Sequence, residues 1–173
     1  NDHNGAVNGS PTYVEGKKGQ CMAFGGADWV DSGLSLPQMD TFTVECWVNP
    51  GDTQVAWADI LGNHAGGGVC GMVLQQLRED TNRYVFVYGS AKGSYVESKP
   101  MTLAPGKWHH VACVKDASET RFYLNGVLMD AMPANGPMAV STIPFRVGLG
   151  FPGTDRCFKG KIDEVRVWSR ALD

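Results

Sequence analysis

Short runs in which apolar and polar residues alternate dominate this sequence. The clearest run covers residues 42–49, where every second residue from Phe42 to Val48 is apolar. A period of two predicts a β-strand with one face against a core, because successive side chains of a strand point to opposite sides. Pro50 and Gly51 follow the run and predict a turn there.

Comparable runs predict further strands along the chain, over residues 58–63, 70–77, 83–89, 108–115, 120–125, 127–129, 143–148 and 160–169. Turn residues such as the pair Asn125-Gly126 separate these runs. About ten to twelve short strands, with turns roughly every 8–12 residues, are typical of a β-sandwich or barrel. We find no helical period, internal repeat or low-complexity linker, so the sequence predicts one all-β domain over residues 1–173.

The last predicted strand contains a change of phase. Ile162 and Trp168 share one parity, whereas Val165 and Val167 have the other. One extra residue in a strand produces such a shift, which predicts a β-bulge at Asp163-Glu164. Bulges are frequent beside functional sites, so Asp163 is either a metal or loop anchor or a solvated carboxylate that happens to lie beside a bulge.

Composition excludes several classes of protein. The chain has 22 Gly and 9 Pro among 173 residues, a hydrophobic fraction of 43% and a formal net charge of −3. The apolar content excludes disorder, and no apolar run approaches the roughly 20 residues of a membrane span, so we expect no membrane insertion. Basic residues do not cluster, and nucleic acid is therefore not an expected partner.

The five cysteines leave the redox state open. They form no CxxC pair and are not at zinc-ligand spacing with the four histidines. An odd number leaves at least one thiol unpaired within the chain, and the sequence does not select a pairing. Cys46 and Cys113 lie inside strand-like runs, where the expected role is that of a small buried apolar side chain.

Several stretches together resemble one known family. They are Gly19–Val30 (GQCMAFGGADWV), Gly106–Asp116 (GKWHHVACVKD) with Arg121–Val127 (RFYLNGV), and Phe158–Leu172 (FKGKIDEVRVWSRAL), supported by residues 42–48 and 4–9. In this order they resemble the LamG-like (laminin G type 3) jelly-roll domains of the concanavalin A-like lectin/glucanase superfamily. The resemblance implies an antiparallel β-sandwich of two curved sheets with jelly-roll topology. It also implies an accessory module of a larger, multidomain protein that is secreted or lies on the cell surface.

Relatives in this family frequently hold a structural calcium ion. Here Gly25 replaces an acidic residue of the family motif, and Ala27-Asp28 replaces a doubled Asp, so fewer oxygen ligands are available. Ca²⁺ takes six to eight oxygens. Asp28 and Asp163 are the predicted ligands of a structural Ca²⁺.

The superfamily also contains glycoside hydrolases, so catalysis has to be considered. Glycoside hydrolysis needs two carboxyl groups roughly 5–10 Å apart. The Glu-x-Asp-x-Glu strand of the glucanase relatives is missing, since Glu45 is followed on its own face by Trp47 and Asn49. His109 and His110 point to opposite faces of a strand and are expected to pack rather than to act together. The prediction is a non-catalytic protein, with a diverged glycoside hydrolase as the weaker alternative.

Sugar recognition combines an aromatic ring with amide or charged groups that bind hydroxyls. Trp57, Asp59 and Asn63 share one parity, and Tyr84 and Tyr88 share a face of a later strand. In a jelly-roll the concave sheet would bring these five residues together as a glycan-binding groove. The alternative is that the aromatic residues fill the core, which is where such rings bury most surface.

Two functions follow. The first is an accessory module that binds carbohydrate on the concave sheet or on its rim loops. The second is a structural or adhesion module that contacts a cell-surface or extracellular protein and binds no sugar. Solvent exposure of the predicted groove residues distinguishes them.

Overall fold

The computed structural model describes residues 5–65, 70–78 and 80–173. These residues form fifteen strands: β1 (Ala6–Asn8), β2 (Thr12–Glu15), β3 (Gln20–Gly25), β4 (Trp29–Asp31), β5 (Phe42–Pro50), β6 (Asp59–Gly62), β7 (Met72–Leu77), β8 (Asp80–Ser90), β9 (Ser94–Glu97), β10 (Met101–Thr102), β11 (His109–Lys115), β12 (Glu119–Leu124), β13 (Val127–Pro133), β14 (Arg146–Val147) and β15 (Lys159–Trp168). Within the described ranges no helix is long and apolar enough to cross a membrane.

The strands form two antiparallel sheets. An eight-stranded sheet has the order β1-β4-β14-β6-β7-β8-β10, with β9 paired to β8, and a seven-stranded sheet has the order β13-β12-β11-β5-β15-β3-β2. The two sheets pack face to face, which confirms the predicted all-β sandwich with concanavalin A-like jelly-roll architecture. Six strands lie outside the runs that the sequence predicts individually. Three of them, β1, β4 and β10, contain only two or three residues, too few to show an alternating pattern, and the others, β2, β3 and β9, contain four to six.

The core lies between the two sheets. The apolar face predicted for β5 is buried, with exposures of 0% for Phe42 and Val48. The Phe42 ring meets the Tyr88 ring edge-on at 5.7 Å between centroids, and the rings of Phe86 and Phe122 lie 6.0 Å apart. These aromatic pairs join the two sheets, since Phe42 and Phe122 belong to the seven-stranded sheet and their partners to the other.

Local geometry confirms two further predictions. Asn125 and Gly126 have φ angles of 52° and 79°, and they form the turn between β12 and β13. Positive φ at both central residues is the requirement of a type I′ hairpin turn. In β15, Asp163 pairs with Trp47 whereas Arg166 already pairs with Glu45, which places the predicted bulge between them.

All five cysteines are free thiols. Cys46 and Cys113 are each 1% exposed, as the small buried apolar role predicts. Burial raises the pKa of the Cys46 thiol to about 12, with Glu45 adding to the effect. The thiol therefore stays protonated and behaves as an apolar group of the core.

We predict that the contact between Phe42 and Tyr88 is essential for stability. Phe42→Ala removes a fully buried ring and leaves a cavity between the sheets, which should lower the free energy of unfolding by about 3–5 kcal/mol. Urea denaturation followed by circular dichroism measures this loss. Val127→Ala, at a residue that is 62% exposed, is the control and should change stability by no more than about 0.5 kcal/mol. Equal effects of the two substitutions would contradict the prediction.

Candidate functional site

Two residues of the predicted groove are in the core instead. Tyr84 and Tyr88 are both 0% exposed, and each belongs to the hydrophobic cluster between the sheets. Val85 and Val87, which have the opposite parity on β8, lie on the outer face of the eight-stranded sheet. The prediction that the tyrosines share a face is right, but the face is the inner one, so neither ring is accessible to a ligand.

Two more residues of that groove are also inaccessible. Asp59 and Asn63 are each 0% exposed. A carboxylate oxygen of Asp59 accepts a hydrogen bond from the Gly150 amide at 3.1 Å, and the side-chain oxygen of Asn63 accepts one from the Met72 amide at 2.9 Å. Both side chains thus fix backbone segments, and their prediction as direct ligand contacts is wrong.

Trp57, the fifth predicted groove residue, lines a surface pocket. It precedes β6 with a φ of 62°, outside the strand, so the predicted parity with Asp59 does not apply to it. The pocket lies on the outer face of the eight-stranded sheet and has a volume of about 220 Å³. Its lining consists of two valines and six side chains with polar or aromatic groups: Val73, Val87, Trp57, His64, Gln75, Tyr95, Glu97 and Arg156.

The floor of the pocket follows from the pairing of three strands. Val73 and Gln75 are on β7, Val87 is on β8, and Glu97 is on β9 directly opposite Val87. Val73 and Val87 belong to a small outward cluster that is separate from the main core. The floor is therefore apolar at its centre and carries an amide and a carboxylate.

A row of rings and one cation forms the rim. The guanidinium carbon of Arg156 lies 3.8 Å from the centre of the Phe151 ring and 5.9 Å from that of Trp57. The His64 ring stacks on Phe151 at 6.3 Å and lies 5.8 Å from the Tyr95 ring. Contacts between a cation and aromatic faces of this kind are favourable when partly desolvated. The rim thus extends without a break from Trp57 to Tyr95.

The loop that carries Phe151 and Arg156 is tied to β6. The Asp59 amide donates to the Arg156 carbonyl at 2.8 Å, and the Gly148 amide donates to the Ile60 carbonyl at 2.7 Å. Together with the hydrogen bond from Gly150 to the Asp59 side chain, these contacts hold residues 148–157 beside the strand. Arg156 is therefore positioned by the fold, although it lies in a loop.

Burial controls the charges around the rim. It raises the pKa of Asp59 from the usual 3.8 to about 7, against the opposing effects of the Gly150 hydrogen bond and the Arg156 charge. Burial also lowers the pKa of His64, and the charge of Arg156 lowers it further. Near neutral pH, His64 is therefore mainly uncharged, and Arg156 is the principal positive charge of the pocket.

The opposite face of the sandwich carries a second polar group of residues. His110 lies 3.2 Å from a carboxylate oxygen of Glu45, whose other oxygen accepts from the Trp168 indole at 3.3 Å. His109 is directed away from this group, with its ring nitrogen 3.1 Å from the Ala104 carbonyl. The two histidines lie on opposite faces, as predicted, and Glu45 is already engaged by its neighbours.

The predicted calcium ligands act as anchors of two different loops. Asp28 accepts hydrogen bonds from the amides of Ser10 and Gly25, and Asp163 accepts them from the amides of Lys18 and Glu164. Among the described residues no group of three or more His, Cys, Asp or Glu side chains is placed to hold a metal ion. Both carboxylates are thus engaged by backbone amides, and the binding of calcium by Asp28 and Asp163 remains a prediction.

Sequence reasoning missed most of the rim. Phe151 and Arg156 lie in an irregular segment with no alternating pattern, and Tyr95 and Glu97 lie on β9, a strand of four residues that is not among the predicted runs. The only available signal was the concentration of one aromatic and one basic residue in a loop next to Pro152-Gly153. That signal does not say which strand the loop meets.

Comparison with protein families gives a clear match over most of the chain. The model of the laminin G type 3 family, part of the concanavalin A-like lectin/glucanases superfamily, matches residues 24–173. No curated protein matches this chain significantly in sequence.

Solved structures share the fold at low sequence identity. Domain 4 of AbnA, a GH43 extracellular arabinanase from Geobacillus stearothermophilus in complex with arabinotriose, is 19% identical with a TM-score of 0.74, over 98% of this chain and 84% of that one. The binding domain of Paraclostridial Mosquitocidal Protein 1 is 14% identical with a TM-score of 0.75, over 99% and 45%. The binding domain of Botulinum Neurotoxin DC in complex with SialylT is 14% identical with a TM-score of 0.69, over 99% and 44%. This chain thus spans less than half of either toxin domain.

We predict that Asp163 is a loop anchor whose effect does not depend on calcium. Asp163→Asn leaves one acceptor oxygen where the carboxylate offers two, so stability should fall by about 1–3 kcal/mol. Thermal melting in EDTA, and then in millimolar calcium, measures both effects, with the exposed Asp52→Asn as control. A calcium-dependent rise in the melting temperature of the wild type that is lost in Asp163→Asn would instead establish the calcium site.

The pH dependence of stability tests the environment of Asp59. Its raised pKa means that the folded state binds more protons than the unfolded state between about pH 4 and 7, so the contribution of Asp59 to stability falls as pH rises through that window. Asp59→Asn removes this titration. Its stability relative to wild type should therefore increase by a few kcal/mol between about pH 4 and pH 8, measured by urea denaturation. The exposed neighbour Asp155→Asn is the control, and a constant difference for Asp59→Asn across the range would refute the prediction.

Proposed function

We propose that this chain, which belongs to the concanavalin A-like lectin/glucanases superfamily, is a non-catalytic module that binds carbohydrate in the pocket around Trp57. The observation that carries the proposal is the combination of an accessible ring with three different polar groups. Trp57 is partly exposed, and Gln75, Glu97 and Arg156 line the same pocket.

This combination matches the chemistry of a sugar. One face of a sugar ring presents C–H groups that pack on an aromatic ring, whereas its hydroxyls lose water and need new hydrogen-bond partners. Gln75 offers both donors and acceptors, Glu97 accepts, and Arg156 donates. The valines of the floor keep the pocket dry at its centre, as is usual for small-ligand sites.

The comparisons support binding rather than catalysis. AbnA domain 4 was solved with arabinotriose, and the botulinum toxin binding domain was solved with SialylT. At these identities the likeness itself concerns the fold. The proposal that this chain also binds a glycan depends on its own pocket.

We place the module in a secreted or cell-surface protein with further domains. The arabinanase that contains AbnA domain 4 is described as extracellular. An accessory module in such a protein would hold its neighbouring domains close to a glycan, by raising their effective concentration there.

A second function, contact with a protein partner, is favoured by one observation. Val127, Leu128 and Met129 begin β13, the edge strand of the seven-stranded sheet, and are 62%, 51% and 44% exposed. Consecutive exposed apolar residues on an edge strand are a common feature of protein-binding surfaces. This surface is on a different sheet from the Trp57 pocket, so the two functions can be tested separately.

We predict that Trp57→Ala abolishes or strongly weakens glycan binding. Removing the ring takes away the apolar platform of the pocket, which should reduce affinity at least tenfold. A glycan array identifies a bound sugar, and titration calorimetry measures the loss. Trp168→Ala, on the other sheet and 37% exposed, is the matched control and should bind like wild type.

The absence of any hit by folded wild-type protein on a broad array would refute the carbohydrate function. In that case Leu128→Asp and captured extracellular proteins would test the β13 surface. Equal binding by Trp57→Ala and wild type would show that a glycan binds elsewhere on the molecule.

A further inference from the structure

We propose that the ligand of the Trp57 pocket is an acidic glycan, one that carries a carboxylate, and that Arg156 is the residue that binds this carboxylate. This inference rests on the proposed carbohydrate function and names the class of sugar. It is carried by the state of Arg156, a partly buried cation in a pocket where none of the described residues places a carboxylate in contact with it.

The other partly buried arginines of the described ranges are neutralised by contact. Arg121 lies 3.1 Å from Asp116 and 3.5 Å from Glu119, and Arg146 lies 3.2 Å from Asp31. In the part of the chain that the structure describes, Arg156 has no carboxylate oxygen within 4 Å and no side-chain hydrogen bond, only its two ring contacts. A guanidinium held in a pocket with its donors unused is prepared for a ligand acceptor.

Stacking leaves those donors available. The five N–H groups of a guanidinium lie in its plane, whereas a ring contact uses its face. Phe151, at 3.8 Å from the guanidinium carbon, therefore restrains Arg156 without occupying its hydrogen bonds. A carboxylate fits the in-plane donors in a two-pronged arrangement that a single sugar hydroxyl does not reproduce.

Asp59, whose carboxyl group senses the charge of Arg156, does not neutralise that charge. Asp59 is 0% exposed and uses one carboxyl oxygen to accept from Gly150. Its burial favours the protonated form, so near neutral pH it compensates only part of the neighbouring charge. Asp155 is exposed to solvent, where its field is screened.

Glu97 is the one acidic residue of the pocket lining, and its strand lies several strands across the sheet from the backbone of Arg156. Residue 157, next to Arg156, bridges to Asp59 at the start of β6, and Glu97 is on β9, with β7 and β8 in between. Neighbouring strands lie about 4.8 Å apart, so the backbones that carry the two charges are separated by three to four strand spacings. Glu97 and Arg156 therefore enter the pocket from opposite ends, so an acidic ligand bound at Arg156 is repelled by Glu97 only weakly and at longer range.

The experiment compares sugars that differ only in charge. Titration calorimetry on the folded protein uses trigalacturonic acid against its methyl-esterified form, and 3′-sialyllactose against the methyl ester of its sialic acid. We expect the acidic member of at least one pair to bind at least tenfold more tightly, with an affinity that falls as salt is raised from about 50 to 500 mM. The neutral members should show little salt dependence.

Substitutions then assign the effect to Arg156. Arg156→Gln should reduce the acid-to-neutral affinity ratio at least tenfold, and Arg156→Lys should retain part of it, because the charge remains while the planar fork is lost. Glu97→Gln removes the repelling charge and should raise affinity for the acidic sugar severalfold. Because Glu97 is exposed, the Glu97→Gln variant is expected to fold even if the Arg156→Gln variant does not. Arg121→Gln, whose guanidinium is engaged by two carboxylates elsewhere, is the matched control and should leave the ratio unchanged.

The outcomes separate this inference from the function on which it rests. Tight binding of neutral sugars, with no preference for their acidic counterparts, overturns the acidic-ligand inference and leaves the carbohydrate function standing. An unchanged ratio in both Arg156→Gln and Glu97→Gln overturns the role of Arg156. Failure of every sugar, on the array as well as in solution, overturns both.

Discussion

The central strands of the eight-stranded sheet carry apolar side chains on both of their faces, and both faces must be kept from water. On the inner side, the seven-stranded sheet covers them through the rings that meet Tyr88 and Phe86. On the outer side the described residues form no third sheet, and Val73, Val85 and Val87 are nevertheless at most 5% exposed. Gly150, in the loop after β14, lies close to Val73, and Trp57 and Arg156 from the loops before β6 and after β14 line the pocket above Val73 and Val87. The pocket is the part of this outer surface that the loops leave open, so the same apolar strand pattern that builds the core also creates the candidate site.

Much of the fold could be predicted from the sequence because one face of the seven-stranded sheet is exposed to solvent. Along β5 the apolar positions alternate with Glu45, Trp47 and Asn49, so a period of two identifies both the strand and its buried side. The bulge in β15 could be predicted for the same reason, since a change of phase is visible only against a regular alternation. The type I′ turn depends on two adjacent residues and requires no tertiary information.

The candidate site could be predicted only in part, and the reasons are equally physical. Along β8, residues of both parities are apolar, so alternation gives no means of deciding whether Tyr84 or Val85 faces the core. The sequence predicts that Asp59 faces a ligand, but a polar side chain beneath a loop can equally accept a hydrogen bond from a backbone amide, and Gly150 supplies that amide. Arg156 becomes a neighbour of Trp57 through pairing of residues almost a hundred positions apart, which no local pattern contains.

The position of β15 has a consequence for how this domain folds during synthesis. In the seven-stranded sheet β15 lies between β5 and β3. The early strands β2 and β3 therefore pair with the rest of this sheet through β15, which is synthesised after all the other strands of the sheet. A ribosome that has released everything up to β14 has produced a sheet divided in two, with the edges of β3 and β5 both unpaired. Closing that gap requires contacts between residues far apart in the chain, which are slow to form and leave strand edges open to other molecules in the meantime. We therefore expect this sheet to close only after residues 159–168 have emerged.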